Sequence, residues 1–179
     1  RTISKSEYNI IANFRDLSDL RKKLKIQNIE HDICILNAGT MGSIENAFNI
    51  MDKDFLETIR VNVVANKIIM DWSILNGCNN FIGISSGAAK KNYDGWLNYC
   101  VTKSAFRSML LQYQKDLPKL NIKLISPGIL STNMNKKIKA QDVSLYPDMK
   151  KFHQSSAVDP KRASELIYKK YSNYFHSDE

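Results

Sequence analysis

Tyr99 and Lys103 stand four residues apart in Tyr99-Cys100-Val101-Thr102-Lys103. On a helix this spacing puts both side chains on one face, one turn apart. An ammonium beside a phenol favours the phenolate, so the tyrosine becomes a usable acid/base near neutral pH. Alone the pattern is weak, because a lysine-rich chain with 8 tyrosines produces it by chance. Ser86, upstream and just past an apolar run, could donate to a substrate oxygen and hold it against the tyrosine. Ser85 competes for that role, and either serine could be a plain turn residue. Asn62 lies in Arg60-Val61-Asn62-Val63-Val64, where a polar amide needs partners. A satisfied core asparagine and a surface one explain it equally well.

Such residues must be positioned by the elements around them, and the pattern predicts βα units with a parallel sheet. A short strand is expected at Tyr8-Asn9-Ile10-Ile11-Ala12, then a polar helix over 17–25 with Leu17, Leu20 and Leu24 on one face. Asp32-Ile33-Cys34-Ile35-Leu36 reads as a strand buried on both faces. A long helix follows over about 52–76, a strand over 80–85, and a second long helix over about 97–117 that Pro118 stops. Ile122-Lys123-Leu124-Ile125 is a further strand. Residues 133–149 look polar and mobile, without periodicity. Asp159-Pro160 has the form of a capped helix start, with the helix running to about Tyr171. Ligands gather at the carboxyl ends of strands in such sheets, and Ser86 is placed there.

Composition narrows the function. The 179 residues are 43% hydrophobic and 25% charged, as expected for one folded domain over 1–179. No apolar run is long enough to span a membrane, and the first residues lack the apolar core of a signal peptide. Cys34, Cys78 and Cys100 are far apart and unpaired in pattern, so reduced thiols and a cytoplasmic location are expected. His31, His153 and His176 have no ligand spacing, so no metal site is expected. The 26 basic and 18 acidic residues give a net charge of +8. The basic residues are scattered in pairs such as Lys22-Lys23, Lys90-Lys91 and Lys136-Lys137, which fits a solvated surface better than nucleic-acid binding.

Taken in order, the motifs resemble the short-chain dehydrogenase/reductase family. Asn37-Ala38-Gly39 follows a buried strand, Asn62 sits in the next helix, and Ser86 follows the next strand. Tyr99 and Lys103 open the helix after that, and Pro127-Gly128 with Thr132 follow the last strand. The resemblance covers about 8–174. It implies an α/β, Rossmann-type, doubly wound parallel sheet in three layers, and hydride transfer between a nicotinamide cofactor and a carbonyl or alcohol. It makes Tyr99 the acid that protonates the carbonyl oxygen. Lys103 lowers the tyrosine pKa and holds the nicotinamide ribose, Ser86 orients the carbonyl, and Asn62 fixes a water that links the lysine to solvent. Asn37, Ala38 and Gly39 match the segment beside the cofactor's adenosine; Pro127, Gly128 and Thr132 match the one near the nicotinamide. The segment from Ile84 to Cys100 is locally similar to the sepiapterin reductase and benzil reductase branch, which reduces small carbonyl compounds with NADPH.

The sequence also departs from the family. All 7 glycines fall between Gly39 and Gly128, so the glycine-rich TGxxxGxG turn and the first strands are missing. The expectation is that this chain is a piece of a longer protein, leaving the strand at Ile33–Leu36 without its neighbour. Asn13 stands where the family places an Asp near the adenine. Arg1 falls where NADP(H)-preferring members meet the 2′-phosphate, which tilts the reading to NADP(H) over NAD(H). A sugar, polyol phosphate or acyl thioester ketoreductase stays open, as does a catalytically silent Rossmann domain used for binding or assembly. Apolar residues on both long helices, Phe55, Ile59, Ile68, Ile69 and Trp72 with Phe106, Met109, Leu110 and Tyr113, suggest a homodimer or homotetramer.

Overall fold

Three short parallel strands carry the structure, a computed structural model that describes residues 10–171. They are β1 (Ile33–Leu36), β2 (Asn80–Ile84) and β3 (Asn121–Ile125), in the spatial order β1-β2-β3. Register runs from Ile33 opposite Asn80 to Leu36 opposite Gly83, and from Asn80 opposite Asn121 to Ile84 opposite Ile125. A parallel pair requires a crossover. Helical segments supply both: α2 (Asp52–Ile59) and α3 (Ala65–Leu75) between β1 and β2, and α4 (Leu97–Asp116) between β2 and β3.

Alternation along the strands sends Cys34, Leu36, Phe81 and Ile122 to one face, where they form a core with Met70 of α3 and with Phe106 and Leu110 of α4. Gly83 permits the closest helix approach. A Cβ there would sit 2.3 Å from Leu110 Cδ1. α1 (Leu17–Lys25) is capped by Asp16, whose carboxylate accepts from the amides of Ser18 and Asp19. Its Leu20 and Leu24 pack on Ala65 and Ile68 of α3.

Several expectations change. Ile35 is 55% exposed, so β1 is covered on one face rather than two. It is also an edge strand among the described residues, as the missing-neighbour reading anticipated. Ile10–Ala12 form no strand, because a strand needs a ladder partner and none of the described strands lies beside them; Tyr8 and Asn9 lie outside the described residues. The long helix contains a π-helical turn, Arg60–Val64, where the Ala65 amide reaches back to the Arg60 carbonyl. Residues 133–149 are not an irregular loop. They form α5 (Asn133–Lys139) and a 3-10 turn at Pro147–Met149 that leads into α6 (Lys150–Gln154), because Ile138, Met149 and Phe152 bury their side chains. α7 (Pro160–Tyr171) follows, as its capping pattern predicts.

One face of each long helix is expected to cover the sheet and the surplus of its apolar residues to form an assembly face; none of the nine named residues is exposed. Ile69, Met109 and Tyr113 pack on the sheet core, and Trp72 packs against the cluster that includes α1. No described helix is long and apolar enough to cross a membrane, and no described cluster could hold a metal. Cys34, Cys78 and Cys100 are buried, unpaired thiols.

Candidate active site

The loops leaving the three strands surround a cavity of about 770 Å³. Asn37 and Gly39 enter it after β1, Ser85 and Ser86 after β2, and Pro127 and Gly128 after β3. This is the carboxyl end of the sheet, where an open parallel sheet leaves room for ligands. Tyr99 and Lys103 reach the same cavity from the first two turns of α4, and Thr132 from the start of α5.

Ser86 leads into a 3-10 turn, Gly87–Ala89, and its Oγ accepts from the Ala88 amide at 3.2 Å. The Ser86 hydroxyl and the Tyr99 phenol line the same cavity, and the serine acts on the phenol electrostatically. Burial holds the phenol above its ordinary pKa, and the serine acts in the opposite direction. Ser85 also lines the cavity, with its backbone amide donating to the Ile125 carbonyl at 2.7 Å and the residue buried. Of the two serines, Ser86 is the one that acts on the phenol.

Lys103 departs from the simple picture of an ammonium lowering the phenol pKa. Its Nζ donates to the Ile84 carbonyl at 2.9 Å and lies 5.7 Å from the Tyr99 ring centroid. Desolvation lowers the lysine pKa to about 8. The lysine is thus itself partly discharged by the burial that raises the tyrosine.

Asn62 is a fully engaged buried amide. Its Nδ2 donates to the Thr40 carbonyl at 2.8 Å and to Thr102 Oγ1 at 2.9 Å, while its Oδ1 accepts from the Thr40 amide at 2.7 Å. Asn66, one turn on, donates to the Ala38 carbonyl at 3.0 Å. Two asparagines therefore clasp the segment Asn37–Thr40 against the helix. Reading the sequence missed Asn66, Thr102 and Thr40. A second asparagine four residues after Asn62, in the same apolar stretch, was the available signal. Gly39 lies against both groups, since a Cβ there would stand in ordinary contact, 3.7 Å, with Asn62 Oδ1 and Lys103 Nζ.

The structure does not bring Asn13 to the cavity. Its Oδ1 accepts from the Arg15 amide at 3.0 Å in an exposed turn. The Arg1 expectation falls outside the described residues. Ala38 contributes its backbone carbonyl to the asparagine clasp.

The sequence profile of the short chain dehydrogenase family matches residues 10–143. The chain belongs to the short-chain dehydrogenase family. Its relatives include a benzil reductase ((S)-benzoin forming) of Bacillus cereus, 23% identical over 96% of this chain and 72% of the relative. A sepiapterin reductase of Rattus norvegicus is 28% identical over 75% of this chain and 53% of the relative. This short-chain dehydrogenase therefore spans about half to three quarters of the length of these proteins. Among solved structures, the KRED1-Pglu enzyme superposes with a TM-score of 0.76 at 16% identity, covering 88% of this chain and 71% of that one. The closed form of serine dehydrogenase complexed with NADP+ gives a TM-score of 0.69 at 21% identity, covering 88% and 66%. These matches establish the Rossmann-like fold, of which the described short-chain dehydrogenase segment holds a part.

Proposed function

We propose that the full protein is an NADP(H)-dependent carbonyl reductase in which Tyr99, Lys103, Ser86 and Asn62 perform the chemistry. The observation that carries this reading is the convergence of Ser86, Tyr99 and Lys103 on one cavity at the carboxyl end of the sheet. Tyr99 gives its phenolic proton to the carbonyl oxygen as that oxygen gains charge, and in the reverse direction it accepts the proton from the alcohol. Ser86 donates a hydrogen bond to the same oxygen and aligns it with the phenol. Lys103 lends positive potential near the phenol ring, opposing the burial that disfavours the phenolate. Asn62, with Asn66, holds Asn37–Thr40 in place, so that Asn37 and Gly39 frame the mouth of the cavity.

The residues present fit a nicotinamide cofactor. Gly39 leaves the approach to Lys103 Nζ free of a side chain. Asn37, Ala38, Gly39, Lys103, Pro127, Gly128 and Thr132 would hold the cofactor, which supplies the hydride when bound. A serine dehydrogenase of this fold binds NADP+, and NADP(H) is the preferred cofactor in this reading. The substrate is a small carbonyl or alcohol compound, in keeping with the benzil and sepiapterin reductases among the relatives. The protein is read as a single-domain cytoplasmic homodimer or homotetramer, assembled through exposed apolar residues of its long helices such as Leu56, Val101 and Leu111.

The test is reduction of benzil and sepiapterin by the full-length protein with NADPH, followed as cofactor oxidation. Tyr99→Phe should lower turnover by about a hundredfold or more while leaving cofactor affinity nearly unchanged. Near-normal turnover in the variant would mean that another group is the acid. Cofactor binding without turnover on any carbonyl would favour a silent binding domain.

A further inference from the structure

The wall of the cavity away from Lys103 is aromatic. Trp96 stands edge-on to Tyr99 with ring centroids 5.7 Å apart, and Tyr93 lies 4.9 Å beyond Trp96. Phe152 of α6 closes the group at 5.0 Å from Trp96. Two lysines, Lys91 and Lys151, line the same cavity. Lys151 Nζ sits 3.5 Å from the Tyr93 ring centroid and 5.1 Å from that of Phe152. A cation over two ring faces is held in place by them.

Asp94 and Asp148 are the acidic groups nearby, and both act on Lys151 as well as on each other's backbone. Asp148 Oδ2 accepts from the Asp94 amide at 3.0 Å, and Asp94 Oδ2 accepts from the Asp148 amide at 3.1 Å. This reciprocal pair ties the two segments together, and neither aspartate lines the cavity. Asp148 Oδ1 reaches Lys151 Nζ only at 3.8 Å, the long limit for an ion pair. A cavity wall with a ring-held ammonium and a second lysine suits an acid group on the ligand.

We propose that the substrate of this site is a flat, apolar carbonyl compound carrying a carboxylate or other acid group at the end remote from the carbonyl, with Lys151 as the residue that recognises the acid. The proposal rests on the reductase reading, which fixes the carbonyl at Tyr99. The acid must be remote because Lys151 lies beyond Trp96 and Tyr93, and the aromatic side chains between them cover the body of the ligand. Lys91 adds potential at the mouth.

The experiment compares 4-acetylbenzoate with its methyl ester, which have the same ring and ketone but differ in charge. Binding to the full-length protein is measured by calorimetry at low and high salt, and reduction with NADPH is measured in parallel. The acid is expected to bind roughly tenfold more tightly than the ester at low salt, less so at high salt. Lys151→Met should level the two ligands, and Lys151→Arg should restore most of the preference. KM for the acid should rise in Lys151→Met with kcat little changed. Equal binding of acid and ester, or a preference that survives Lys151→Met and disappears only in Lys91→Met, overturns the proposal. Because binding is read without turnover, a protein that prefers the acid but reduces neither ligand would refute the reductase reading alone.

Discussion

Lys103 Nζ donates to the backbone carbonyl of Ile84, the last residue of β2, at 2.9 Å. The lysine of the helix is thereby tied to the end of the central described strand, inside a wall that excludes water. Desolvation sets its pKa at about 8 against an ordinary 10.5. Between those two values the folded protein has released a proton that the unfolded chain still holds, so stability rises with pH across that window. Below about pH 8 the cost of burying the charge is fully present.

A difference measurement isolates that effect. Lys103→Met removes the titrating group, so the stability of the natural protein minus that of the variant should climb between about pH 8 and 10.5. Urea unfolding at stepped pH reads it. A flat difference across the window would show that the lysine keeps its ordinary pKa.

Ser86 and Tyr99 give a second pH-dependent prediction. The serine hydroxyl lowers a phenol pKa that burial has raised. Ser86→Ala removes only the lowering influence, so the phenol should titrate at higher pH and the pH–rate profile should move to the alkaline side. Ser85→Ala should leave the profile in place, because the Ser85 contact at 2.7 Å is made by its backbone amide. Spectrophotometric titration of the phenol checks both variants.

Asn62 serves the site through Thr40. Asn62→Ala strands the Thr40 amide and carbonyl, while the Thr102 hydroxyl keeps its bonds to the Asn98 and Tyr99 carbonyls, and should cost about 1–3 kcal/mol. Amide exchange at Thr40 should quicken more than at Ile82, which lies in the middle of β2. Equal loss of protection at both positions would argue for general destabilisation instead of a loosened clasp.

Gly83 sets the distance between sheet and helix. Gly83→Ala should destabilise by about 1–3 kcal/mol, since its Cβ would stand 2.3 Å from Leu110 Cδ1. Leu110→Ala alone should cost about 2–5 kcal/mol by leaving a cavity. The double variant should cost less than the two together, because the new methyl occupies the vacated space. Thermal unfolding of the three proteins measures this coupling.

The sequence by itself determined much of the frame. Apolar runs bounded by breakers located β1, β2 and β3 to within a residue, and helical periodicity located α1 and α4, because these patterns depend on nearest neighbours and burial. The spacing of Tyr99 and Lys103 put both on one face of α4 for the same local reason. Tertiary structure decided what those side chains meet. Tyr99 is buried in the cavity that Ser86 also lines, and burial beside the Ile84 carbonyl lowers the Lys103 pKa; desolvation depends on residues distant in sequence. The π-helical turn at Arg60–Val64 was hidden because its residues have ordinary helical periodicity. Residues 133–149 read as a loop because the partners of Ile138, Met149 and Phe152, namely Met41, Trp96 and Cys100, come from elsewhere in the chain. One aromatic and aliphatic cluster drawn from these separate segments shapes the far wall of the cavity, and no local pattern encodes such a meeting.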